Sequence, residues 1–125
     1  MQCPKCDSET AKIVFSSIEV DRCTGCWGLW FDLMEAEQLK SVPGSEAIDT
    51  GDAKEGRFWD AERLINCPVC PNTPMVRMAD NRQPHIHYES CPECFGIFFD
   101  AGEFRDYKKE TLLDSLKHLV AGKRP

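Results

Sequence analysis

Four Cys-x-x-Cys pairs dominate this chain: Cys3 and Cys6, Cys23 and Cys26, Cys67 and Cys70, Cys91 and Cys94. They fall into two groups of two, with 16 residues between the pairs of the first group and 20 between those of the second. Such spacing suits two closed sites of four thiolates, because each tight loop places two sulfurs on one side and two facing loops complete a tetrahedron. Pro4, Pro68 and Pro92 fix φ just after a cysteine, and Gly25 offers a backbone free of Cβ strain at the remaining loop.

Other uses of cysteine fit less well. A disulfide framework belongs to secreted chains, and Met1-Gln2-Cys3-Pro4-Lys5-Cys6 has neither a basic nor an apolar leader region. A thioredoxin-like motif needs one pair in a βαβ setting, not four pairs in a repeat. Iron suits a sulfur tetrahedron as zinc does and stays open as the occupant. The reading is two Zn2+ per chain, held by Cys3, Cys6, Cys23 and Cys26 and by Cys67, Cys70, Cys91 and Cys94. Four thiolates leave no position for water, so these sites are structural and the chain is expected not to be an enzyme.

The repeat extends beyond cysteine. Trp27-Gly28-Leu29-Trp30-Phe31-Asp32-Leu33-Met34-Glu35 follows the second pair, and Phe95-Gly96-Ile97-Phe98-Phe99-Asp100-Ala101-Gly102-Glu103 follows the fourth. Aromatic, Gly, aliphatic, aromatic, Phe, Asp and Glu recur in register, which marks an internal duplication. Residues 1–40 then form one unit and 67–125 a second with a C-terminal helix. Between them, 41–66 reads as an acidic linker whose later part, Phe58 to Ile65, can form a short helix or dock. Units this small need metal to supplement their cores.

Ala11–Phe15 and Ile18–Asp21 alternate as the strands of a hairpin turning near Ser16 and Ser17, and Met75–Met78 and His85–Tyr88 take those places in the second unit. Asp32 with Glu35, and Asp100 with Glu103, have the N-cap and N3 spacing of a helix start, which makes them caps and not catalytic acids. The last helix is expected from about 102 to 120. In an extended segment Trp27, Leu29 and Phe31 face one way and Trp30 the other, so both faces carry apolar groups. They either pack around the metal and under the helix or mate with the other unit or a partner.

The motifs resemble the transcription factor IIB-type zinc ribbon family, which pairs Cys-Pro-x-Cys with a second Cys-x-x-Cys followed by Gly, an aromatic residue, Asp and Glu. Cys3-Pro4-Lys5-Cys6 and Cys23-Thr24-Gly25-Cys26 match with Gly28, Trp30, Asp32 and Glu35. Cys67-Pro68-Val69-Cys70 and Cys91-Pro92-Glu93-Cys94 match with Gly96, Phe98, Asp100 and Glu103. The resemblance implies two tandem zinc ribbons, small, metal-stabilised and mostly β, each an antiparallel hairpin with a helix after its second knuckle.

Charge bears on the partner. The formal net charge is −6, and eight thiolates with two dications bring the loaded chain to about −10. That disfavours nucleic acid overall, although residues 105–125 carry six bases against three acids. A protein-interaction or adaptor role in the cytoplasm, with no membrane contact, is the leading expectation. Nucleic-acid binding in transcription is the second, and a thiol-based redox sensor or zinc reservoir the third. His85 and His87 lie two apart on one strand face and read as exposed, since the cysteine set is complete without them, and His118 has no partner suggesting catalysis.

Overall fold

The computed structural model describes residues 1–60, 65–80 and 83–108. Its strands are β1 (Thr10–Phe15), β2 (Ile18–Cys23), β3 (Leu29–Phe31), β4 (Val76–Ala79), β5 (His87–Ser90) and β6 (Ile97–Phe99). Two short helices, α1 (Glu35–Lys40) and α2 (Ala53–Asp60), and a 3-10 turn at Ser45–Ile48 lie between β3 and β4. A third helical segment, 103–108, is called α3. The fold is mostly β and contains the two tandem ribbons expected from the motifs. Among the described residues no helix is long and apolar enough to cross a membrane.

The first hairpin turns at Ser16 and Ser17, both with positive φ (52° and 68°), so Phe15 pairs directly with Ile18. Two consecutive left-handed residues are the requirement of the tight turn that matches strand twist. The second hairpin lies one to two residues later than the alternation suggests, with Val76 opposite Ser90 and Ala79 opposite His87.

All six strands form one antiparallel sheet in the order β1-β2-β3-β6-β5-β4. At its centre Leu29 pairs with Phe99, Trp30 with Phe98 and Phe31 with Ile97. Trp30 and Phe98 are equivalent residues of the two repeats, so the pairing has the form of a two-fold axis through them. Gly28 and Gly96 make it possible: a Cβ on Gly28 would lie 2.2 Å from the Phe98 ring, and one on Gly96 would lie 2.2 Å from Trp30. Each repeat's large aromatic lies over the other's glycine.

Alternation along β3 and β6 divides the aromatics between two cores. Leu29, Phe31 and Phe99 join Leu39, Phe104 and Tyr107 beneath α1 and α3, where Phe31 and Phe104 stand 5.0 Å apart and Phe99 and Tyr107 5.2 Å apart. Trp30 and Phe98 lie on the opposite face among the cysteines. Both fates open to these residues are thus realised, packing within a unit and mating between units.

Residues 42–56 are tied to the second repeat. Asp49, buried, accepts hydrogen bonds from the backbone N–H of Gly102 (2.9 Å) and Arg105 (3.0 Å), and so caps α3 from a distant part of the chain. Arg105 returns two bonds, to the carbonyls of Asp49 (3.1 Å) and Gly51 (2.9 Å). The Lys108 ammonium, buried, donates to the Val42 carbonyl at 2.8 Å and pairs with Glu46 at 3.2 Å. Gly56 brings α2 so close that a Cβ there would lie 1.9 Å from the Ala101 carbonyl oxygen.

The caps read into Asp32 and Asp100 do not form. Their carbonyls accept from the N–H of Glu35 (3.0 Å) and Glu103 (3.0 Å), closing a turn in which Met34 (φ 72°) and Gly102 (φ 89°) are left-handed. The helices therefore start only at Glu35 and 103, too late for these aspartates to cap them. The Asp32 carboxylate accepts instead from the Trp30 indole N–H at 3.1 Å, and that of Asp100 from Lys5 at 2.7 Å. Between Asp32 and Glu35 the return bond of a capping box is kept, from the Asp32 N–H to the Glu35 carboxylate (2.9 Å).

Candidate metal centres

The structure gathers the eight cysteines into two groups, Cys3, Cys6, Cys23 and Cys26, and Cys67, Cys70, Cys91 and Cys94, the sulfurs of each lying within 4.8 Å of one another. Each knuckle is shaped by its own backbone. The Lys5 N–H donates to Cys3 Sγ at 3.4 Å, and the N–H groups of Gly25 and Cys26 donate to Cys23 Sγ at 3.2 and 3.3 Å. Cys67 receives the N–H of Val69 and Cys70, both at 3.3 Å, and Cys91 those of Glu93 (3.3 Å) and Cys94 (3.4 Å). The first sulfur of every knuckle is thus held by backbone dipoles that favour its thiolate.

The donor sets fit zinc. A tetrahedron with arms of about 2.3 Å has edges of about 3.8 Å. Cys3 and Cys26 are 3.7 Å apart, Cys6 and Cys23 3.3 Å, and Cys67 and Cys94 3.8 Å. Acidity is polarised within each cluster. Cys3 is lowered to about 5, chiefly by the hydrogen bond from Cys26, while Cys26 is raised by the same bond and by burial. Burial raises Cys23. In the second cluster burial pushes Cys70 up to about 12 and raises Cys94. Burial also opposes ionisation of Cys91, but the N–H groups of Cys94 and Glu93 and the neighbouring thiols bring it down to about 7. Thiols that hold each other's protons this way are ready for a dication to replace them.

Lys5 lies between the two cysteines of the first knuckle. Its side chain is 0% exposed, and its ammonium reaches Asp100 (2.7 Å), Glu89 (3.2 Å) and the Trp59 carbonyl (3.0 Å). The only trace of this in the sequence is a lysine where the repeat has Val69.

The remaining polar residues lie elsewhere. His85 is exposed and His87 half-buried, and both line a cavity of about 320 Å3 with Arg57, Glu103 and Asp106, apart from the cysteines. Glu103 accepts the His87 backbone N–H at 3.2 Å. Of the bases in the C-terminal stretch, Lys108 is buried in the fold and Arg105, partly exposed, is bonded to Asp49 and Gly51. Lys109, Lys117, Lys123 and Arg124, with His118 and the expected continuation of the helix, lie outside the described residues.

No curated protein and no solved structure matches the chain. The sequence pattern described as "Transcription factor zinc-finger", the TFIIB-type zinc ribbon, matches residues 2–42 and 66–110, one segment for each four-cysteine cluster. With two such segments spanning well over half its length, each furnished with the four thiolates of a zinc site, this chain belongs to the TFIIB-type zinc ribbon family.

Proposed function

We propose that this protein is a non-catalytic, zinc-dependent interaction module: a cytoplasmic adaptor that presents the turn at Leu33 and Met34 to a protein partner. The observation that carries the reading is a difference between equivalent surfaces. Ala101 and Gly102, at the corresponding turn of the second repeat, are buried beneath residues 49–56. Leu33 and Met34 are 57% and 53% exposed. An apolar turn that one repeat covers with its own chain and the other leaves bare suits cover by another protein.

Charge supports a protein partner over a nucleic acid. The loaded chain carries about −10, and Arg105 and Lys108 are occupied by Asp49, Gly51, Val42 and Glu46. The test is chemical cross-linking of the zinc-loaded chain in lysate, read by mass spectrometry, beside a Leu33→Asp, Met34→Asn double variant. Asn is chosen because it tolerates the left-handed backbone. Partner cross-links should map to residues 30–40 and fall at least tenfold in the variant, with zinc content and melting temperature unchanged. Partner capture that ignores the substitutions would overturn the reading.

A further inference from the structure

The two metal centres are alike in ligands and unlike in cover. In the first, Cys3, Cys23 and Cys26 are buried and only Cys6 is half-buried. In the second, Cys70 and Cys94 are both half-buried. The neighbours widen this difference. Lys5 folds under the first knuckle and anchors it to α2, to β5 and to the turn after β6 through Trp59, Glu89 and Asp100. Its equivalent, Val69, is 55% exposed. Gly25 lies against Ser8, where a Cβ would come within 2.2 Å of its hydroxyl. Glu93, in the corresponding place, is exposed, as is Phe95 just after Cys94.

We infer that Cys70 and Cys94 are the residues a peroxide oxidises in this protein, and that their oxidation discharges the second zinc site while the first stays loaded. Access decides which of two chemically equal thiolate sets reacts, since zinc binding keeps every sulfur deprotonated. One thiolate of the pair attacks the peroxide: an S–O bond forms, the O–O bond breaks, and hydroxide leaves to be protonated to water. The other thiolate attacks that sulfur: the S–S bond forms, the S–O bond breaks, and the second hydroxide leaves as water. Two electrons pass from the two sulfurs to the peroxide and two protons are taken up. The two sulfurs lie within 4.8 Å, close enough to join with a small movement of their knuckles. Cys67 and Cys91 alone are too few donors to retain the ion.

This inference goes beyond the interaction reading and needs only the zinc-loaded chain, whose metal content is measured first. Limiting hydrogen peroxide is added to the full-length protein. Zinc release is followed with a chromogenic chelator, and cysteine states by differential alkylation and peptide mass spectrometry. One equivalent of zinc should leave at least about tenfold faster than the second, together with a Cys70–Cys94 disulfide and four reduced cysteines in the first site. In parallel, a maleimide applied without oxidant should label Cys70 and Cys94 before any other cysteine. Release of both ions at one rate, or a disulfide that begins in the first site, would overturn the inference. So would maleimide labelling that starts at Cys6.

Discussion

The ammonium of Lys5 lies 2.7 Å from the carboxylate of Asp100, a contact that joins the first knuckle of one repeat to the turn after the last strand of the other. Both side chains are buried, and Glu89 shares the same ammonium at 3.2 Å. A buried ion pair contributes little over a well-packed apolar replacement, but removing one partner strands the other's charge. Lys5→Met should therefore cost about 3 kcal/mol, and Lys5→Met with Asp100→Asn and Glu89→Gln should recover a large part of it. Urea unfolding of the zinc-loaded variants measures both, and equal losses in the single and triple variants would show that the charges do not interact.

The central strand pair gives a second expectation. Gly28→Ala places a methyl group against the Phe98 ring and should destabilise by about 2 kcal/mol or more. Because the three nearest atoms that methyl group would meet all belong to that ring, Gly28→Ala should cost much less in a Phe98→Ala background. A double-mutant cycle reads the coupling, and additive losses would place the strain elsewhere.

The grouping of the cysteines into two sets of four and the two hairpins were legible in the sequence because each depends on residues close together in the chain or on a repeat of them. Ser16 and Ser17 announce their turn by lying between two alternating runs. The contacts between repeats were not legible, since Lys5 finds Asp100, and Asp49 finds the N–H groups of Gly102 and Arg105, only after the chain has folded back. For the same reason Asp32 and Asp100 looked like caps: their spacing to Glu35 and Glu103 is right, but the left-handed residues between them shift each helix start. Local spacing predicts local bonds, and these carboxylates found other partners.

Zinc uptake should release protons, and the direction follows from the thiol acidities. At pH 7 Cys23 and Cys26, both raised, still hold protons in the metal-free first site, as do Cys70 and Cys94 in the second. Binding removes at least two protons per site, so affinity should fall by at least about 100-fold for each pH unit lowered toward pH 6. Calorimetry in buffers of different ionisation enthalpy counts these protons. Fewer than two per ion would contradict the raised pKa values of these thiols.

Nucleic acid should bind poorly. With Arg105 and Lys108 engaged internally, no measurable affinity for random duplex DNA or single-stranded RNA is expected at roughly 150 mM salt. Fluorescence anisotropy across salt concentrations decides this, and micromolar binding at that salt would favour a nucleic-acid role over the adaptor.

The pairing of Trp30 with Phe98 also bears on ancestry. Because equivalent residues meet antiparallel, a lone ribbon could build the same sheet with a second copy of itself, so the duplicated chain has the form of a homodimer made covalent. Joining the halves releases them from having to stay identical. Lys5 beside a twin valine, a tryptophan facing a phenylalanine, and a turn covered on one side and bare on the other are differences that a symmetric pair of identical chains could not have acquired one half at a time.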